Sequence, residues 1–129
     1  MNKLEYIPRD LVYIHESLRI ISNCDGYYAT FYDENESLQE VNVNVIEGIP
    51  LTPEILEKNG WYGATHSKQS DDNTKILYKT FKRKGYPTIK VSQDLKITCE
   101  LSPFIVKLES VSDLQHLLFG LGLNYEMEV

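Results

Sequence analysis

The chain has 129 residues, a hydrophobic fraction of 42% and a formal charge of −6. A chain of this length buries roughly two thirds of its unfolded surface, so it folds without needing a metal or a disulfide. Nine tyrosines and four phenylalanines exclude a disordered composition. The acid excess argues against generic binding to duplex DNA, and no run approaches the ~20 apolar residues of a membrane span.

The first residues, Met1 to Glu5, lack the apolar core of a signal peptide. Cys24 and Cys99 stand far apart in sequence and are expected to be reduced, partly buried thiols. Both points predict a cytosolic protein, with no membrane partner. The charge is uneven: residues 1–60 hold eleven acids against four bases, and residues 61–129 hold eight against nine.

After a polar lead containing Pro8, Leu11–Ile14 and Leu18–Ile21 are β-branched and apolar, separated by His15-Glu16-Ser17, which predicts a hairpin. Asp25-Gly26 is a tight-turn dipeptide. Tyr27–Tyr32 is aromatic and strand-like, and residues 33–37 form a charged turn. Val41, Val43 and Val45 alternate with Asn42 and Asn44, the period of a half-buried strand. Short strands at this spacing predict a small antiparallel, SH3-like half.

A short helix follows. Thr52 is a good N-cap, Pro53 suits the first helical position, Leu51 and Leu56 have the spacing of a hydrophobic staple, and Asn59-Gly60 supplies the stop. This stretch, Pro50-Leu51-Thr52-x-Glu54-x-Leu56-x-x-x-Gly60-Trp61, resembles a motif in a family of small uncharacterised proteins from phages, prophages and mobile elements of Bacteroides-type bacteria. In that family a β-rich segment precedes a similar motif, and the chain closes on a short helix with a Leu-Gln pair, as in Leu114-Gln115 here. The resemblance implies an accessory protein of a mobile element and carries no catalytic residues.

Beyond Trp61-Tyr62, residues 63–74 read as a long polar loop, which in a compact domain marks function or mobility. Ile76–Phe81 and Pro87–Val91 are strands around the basic turn Lys82-Arg83-Lys84-Gly85. Leu95, Ile97 and Cys99 alternate onto one face, and Ser102-Pro103 breaks the run before Phe104–Leu108. This is an antiparallel meander. Val111, Leu114, Leu117, Leu118 and Leu121 then form a helical apolar stripe. Ser112 with Gln115 fits a capping box, with Ser110 as a competing cap. The expected fold is α+β and mostly β. It is a single domain, 1–129, with lobes 1–48 (β) and 49–129 (helix, meander, helix), the C-terminal helix closing the second half.

Catalytic motifs are missing. His15, His66 and His116 are scattered, without metal-ligand spacing, and Asp33, Asn35 and Ser37 lack the glycine and glutamate of a calcium loop. Asp71-Asp72 reads as solvated loop charge. No enzyme activity, metal or cofactor is expected. The residues selected as a ligand-binding set are Trp61, Tyr62, Lys79, Lys82, Arg83 and Lys84, with Lys75, Lys90, His66 and Tyr86 nearby. Cations beside rings can hold a phosphate and stack a base. Two functions fit: binding a host or element-encoded protein through acidic surface and tyrosines such as Tyr27, Tyr28 and Tyr32, or, alternatively, sequestering a signalling nucleotide of antiviral defence. Charged hairpin tips also arise simply to prevent edge pairing.

Overall fold

The computed structural model describes residues 6–69 and 75–129. The fold is α+β and mostly β, with antiparallel sheets and two helices, the second towards the C-terminus. Contacts group the chain into two compact units: Met1–Pro50 with Ser110–Met127, and Leu51–Glu109 with Glu128–Val129. The C-terminal helix therefore belongs with the N-terminal strands, whereas the sequence alone grouped it with residues 49–129.

In the first unit, β1 (Leu11–Ile14) pairs with β2 (Ser17–Ile20) across a two-residue turn. His15 and Glu16 there have φ of 50° and 65°, the doubly left-handed turn whose twist matches that of paired strands. β3 (Asn23–Cys24), β4 (Tyr28–Tyr32) and β5 (Leu38–Asn42) form a second antiparallel sheet. The Asp25 carboxylate accepts the Tyr27 and Tyr28 N–H groups at 2.9 and 2.8 Å, and Gly26 supplies a φ of 93°.

The valine alternation is not one strand. Asn42 ends β5 by accepting the Asn44 N–H at 2.9 Å, capping a 3-10 turn over Val43–Val45. β6 (Ile46–Gly48) then resumes beside β1. An asparagine that bonds its own neighbouring backbone competes with the sheet ladder, so Val43 is buried while Val45 faces solvent. Val12, Ile14, Ile21, Ala29, Phe31, Val43 and Ile46 make the core here.

The helix α2 (Val111–Gly120) starts at Ser110, not Ser112. The Ser110 hydroxyl accepts the Asp113 N–H at 3.1 Å, and the Asp113 carboxylate accepts the Ser110 N–H at 3.0 Å, a reciprocal capping box. Gln115 is not part of the cap. Its side chain is fully buried (0% exposed), donating to the carbonyls of Arg9 and Tyr125 at 2.9 and 3.0 Å and accepting the Leu11 N–H at 2.8 Å. Those three bonds, with buried Val111, Leu114 and Leu118, tie the helix to the first unit. Leu117 is only half-buried and Leu121, the helix C-cap, is exposed.

In the second unit, α1 (Pro53–Lys58) is as the sequence spells it. Thr52 Oγ1 accepts the Ile55 N–H at 3.2 Å. The Trp61 and Gly60 N–H groups bond the Leu56 and Glu57 carbonyls at 3.0 and 3.1 Å, and Gly60 has φ of 95°, which is the Schellman closure. Leu51 and Leu56 are both buried.

The five-stranded sheet has the order β11-β10-β9-β8-β7, comprising β7 (Tyr62–Gln69), β8 (Lys75–Lys82), β9 (Ile89–Val91), β10 (Ile97–Leu101) and β11 (Phe104–Lys107). The stretch 63–69 was expected to be loop and is strand. It pairs with β8 from Tyr62↔Lys82 to Gln69↔Lys75. As the sheet's edge strand it draws its order from the ladder, so its sequence needs no apolar rhythm. The rest of the expected loop, residues 70–74 with Asp71-Asp72, lies outside the described residues. Phe81, Ile89, Val91, Ile97 and Cys99 fill the inner face, and burial pushes the Cys99 thiol pKa up. Leu95 does not join them: it sits in the turn with φ of 64° and is 72% exposed.

Candidate binding face of the five-stranded sheet

Side chains alternate across a strand, and this divides the residues that the sequence brings together. Lys79 and Phe81 share one face of β8, while Tyr78, Thr80 and Lys82 share the other. Trp61 is buried, and its Nε1–H points to the Pro87 carbonyl at 3.4 Å. The Arg83 guanidinium lies 5.1 Å from the Trp61 ring centroid and 3.9 Å from that of Tyr86. Trp61 and Tyr86 meet edge-on at 5.4 Å. Cation and rings therefore satisfy one another, and the stack serves packing first. Lys79 borders a shallow apolar groove with Leu77, Val91 and Leu95 on the inner-face side. Lys84 is exposed in the turn before Gly85, whose φ is 82°. Of the six residues, Tyr62 and Lys82 alone stand directly opposite each other, on the outer face.

That outer face carries more than the sequence suggested. The register lines up Ala64, Thr80, Lys90, Thr98 and Lys107 as one row across all five strands. On one side of the row lie Tyr62 and Lys82, and on the other His66 and Tyr78. The His66 ring stacks on Tyr78 at 5.2 Å and 22°. Its Nε2 is 2.8 Å from the Thr80 hydroxyl, and the Lys90 ammonium sits 4.7 Å from the Tyr78 centroid. A depression of about 400 Å³ opens on the same face, lined by Thr80, Thr88, Lys90, Thr98, Glu100 and Ile105.

No family model, curated protein or solved structure matches this chain. The open face must therefore be read from its own chemistry.

Charge separates between the units more sharply than along the chain. The first unit holds eleven acids and three bases, and the second eight acids and ten bases. On the open face Lys82, Lys90 and Lys107 outnumber Glu100, and the ion pairs found among the described residues involve none of the three lysines. Tyr62 is 81% exposed. The face can thus hold anionic groups on ammonium ions and lay a planar group on a free ring. The row of residues was missed because strand register, unlike alternation, is not written in one sequence.

A second polar centre lies in the first unit. His116 Nε2 is 2.5 Å from Asp10 Oδ2, and Asp10 is fully buried with Oδ2 also accepting the Ile7 N–H at 3.0 Å. The hydrogen bond to Asp10 raises the His116 pKa against the opposing effect of burial. Neither residue lines a depression that could seat a substrate among those found.

Proposed function

We propose that this chain is a non-enzymatic accessory protein of a phage or mobile element that binds a host or element-encoded protein through the outer surface of its acidic unit. The observation that carries this reading is a line of exposed apolar side chains. Tyr32 and Leu38 oppose each other across β4 and β5 and are 59% and 57% exposed. Tyr32 also lines a depression with Leu18 and Ile20, both exposed. Apolar surface of this kind is what protein contacts use, and the unit's excess of eleven acids over three bases favours a basic partner. An SH3-like arrangement of residues 11–48 is supported by the 3-10 turn between β5 and β6 and by the return of β6 to β1. The bacterial cytoplasm remains the proposed setting.

The test is capture from host lysate with the wild-type chain and with a Tyr32→Asp, Leu38→Asp double variant of unchanged melting temperature. A partner held by the first and lost by the second supports the reading. Equal capture by both counts against it. The alternative, sequestration of a signalling nucleotide, is favoured by the Tyr62–Lys82 pair. Nucleotide-induced thermal stabilisation that disappears in Tyr62→Ala would support it.

A further inference from the structure

We infer that the outer face of the five-stranded sheet binds a single-stranded nucleic acid, with Tyr62 as a base-stacking ring and Lys82, Lys90 and Lys107 as phosphate contacts. The surface belongs to the second unit and does not depend on the protein-binding reading, which concerns the first.

Three observations converge. The first is shape. The row Ala64–Thr80–Lys90–Thr98–Lys107 crosses five strands, which at ~4.8 Å between neighbours makes a track about 19 Å long. Short side chains, Ala64, Thr80 and Thr98, alternate in it with Lys90 and Lys107, and the taller Tyr62, Lys82, His66 and Tyr78 flank its β7–β8 end. A single strand laid along such a track can splay its bases to either side. A duplex is too wide and rigid to do so.

The second is charge. The chain as a whole is acidic, yet this face presents three lysines that no carboxylate neutralises among the described residues. They do not form one tip. Lys82 borders the track near its β7 end, Lys90 stands mid-sheet and Lys107 occupies the β11 edge. Spaced cations suit a chain of successive phosphates better than one compact anion. Thr88 and Thr98 also set hydroxyls beside Lys90 in the depression, and such groups commonly bond phosphate and sugar oxygens.

The third is the rings. The His66 and Tyr78 rings stack on each other, which leaves Tyr62, exposed at the β7 edge, as the ring of this face open to a base among the described residues. Base–aromatic stacking tolerates any sequence because every base has a π-face. Exposure of one tyrosine on a sheet is ordinary. Its placement directly across from Lys82, on a face that also carries Lys90 and Lys107, is what points to a ligand.

The test is fluorescence anisotropy with the full chain and labelled 12-mers of dT or U, against a 12-base-pair duplex and against mononucleotides. The inference predicts saturable binding of a single strand, weakening with salt at a log–log slope of about −2, from three phosphate contacts at ~0.7 each. Tyr62→Ala should weaken binding about tenfold. Lys82→Gln, Lys90→Gln and Lys107→Gln together should abolish the salt slope. The charge-matched triple Lys75→Gln, Lys79→Gln and Lys84→Gln, which leaves the outer face intact, should change affinity less than twofold. Equal losses from the two triples would reduce the effect to net charge and overturn the inference. So would absent binding to both single strands, tighter binding to the duplex, or mononucleotides competing as well as the oligomers.

Discussion

Replacing Gln115 with methionine tests whether one buried side chain fastens the C-terminal helix to the first strand. Methionine is close in length and volume, so the cavity term stays small and the loss is one of hydrogen bonds. Gln115 makes three: to the Arg9 and Tyr125 carbonyls and from the Leu11 N–H. At 0.5–1.5 kcal/mol net for each, the sum is about 3 kcal/mol. The Leu11 N–H is stranded in a buried setting, which carries the larger unsatisfied-donor penalty of ~1–3 kcal/mol and moves the total towards 4 kcal/mol. That is a large share of the 5–15 kcal/mol typical of a domain. Urea denaturation followed by circular dichroism measures it directly. Amide exchange should in addition show residues 123–127 losing protection, because Tyr125 loses its donor. A midpoint shift worth less than about 1 kcal/mol would refute the reasoning, since it would mean that water replaces all three bonds at no cost.

Two further outcomes follow from local geometry. Gly63→Ala should destabilise by about 1–3 kcal/mol despite the better strand propensity of alanine, because an added Cβ would meet the buried Phe81 ring at 2.7 Å and overpacking costs that much; thermal melts check it, and Phe81→Leu in the same chain should recover part of the loss. His116 has its folded pKa raised above 6.5 by its bond to Asp10, so its contribution is complete below about pH 6.5 and disappears as pH rises through the folded value. Stability measured from pH 5 to 9 should fall across that window in wild type, and the fall should flatten in His116→Gln.

Much of the architecture was legible where a residue's chemistry is local. Thr52, Pro53 and Gly60 each announce a helix end through their own backbone preferences, and α1 begins and ends where they say. Asp25-Gly26 likewise makes its turn. The strand over 63–69 was illegible because an edge strand of small and polar residues borrows its order from β8. The valine alternation misled for the opposite reason: the period of two is real, but Asn42 turns its side chain onto the backbone and ends the strand. Choosing between Ser110 and Ser112 as the cap of α2 depended on Asp113, whose carboxylate closes the box from three residues on. Gln115 resembled a capping residue, and only long-range contacts with Arg9 and Leu11 reveal its task. For the candidate site, Tyr62 and Lys82 were legible as a ring and a cation near one hairpin. Their separation from Lys79 follows from alternation, but the alignment with Lys90 and Lys107 required the register of five strands.

The proposal that the exposed surface of the acidic unit binds a protein is tested most directly by photo-crosslinking in bacterial cells that produce the chain. A photoreactive amino acid would be placed at Leu38 in one variant and at Lys84, on the basic turn of the other unit, in a second. The account predicts a discrete protein adduct from position 38, absent from position 84 and suppressed by Tyr32→Asp. Adducts of equal yield from both positions, or none from position 38 at native expression, would contradict it.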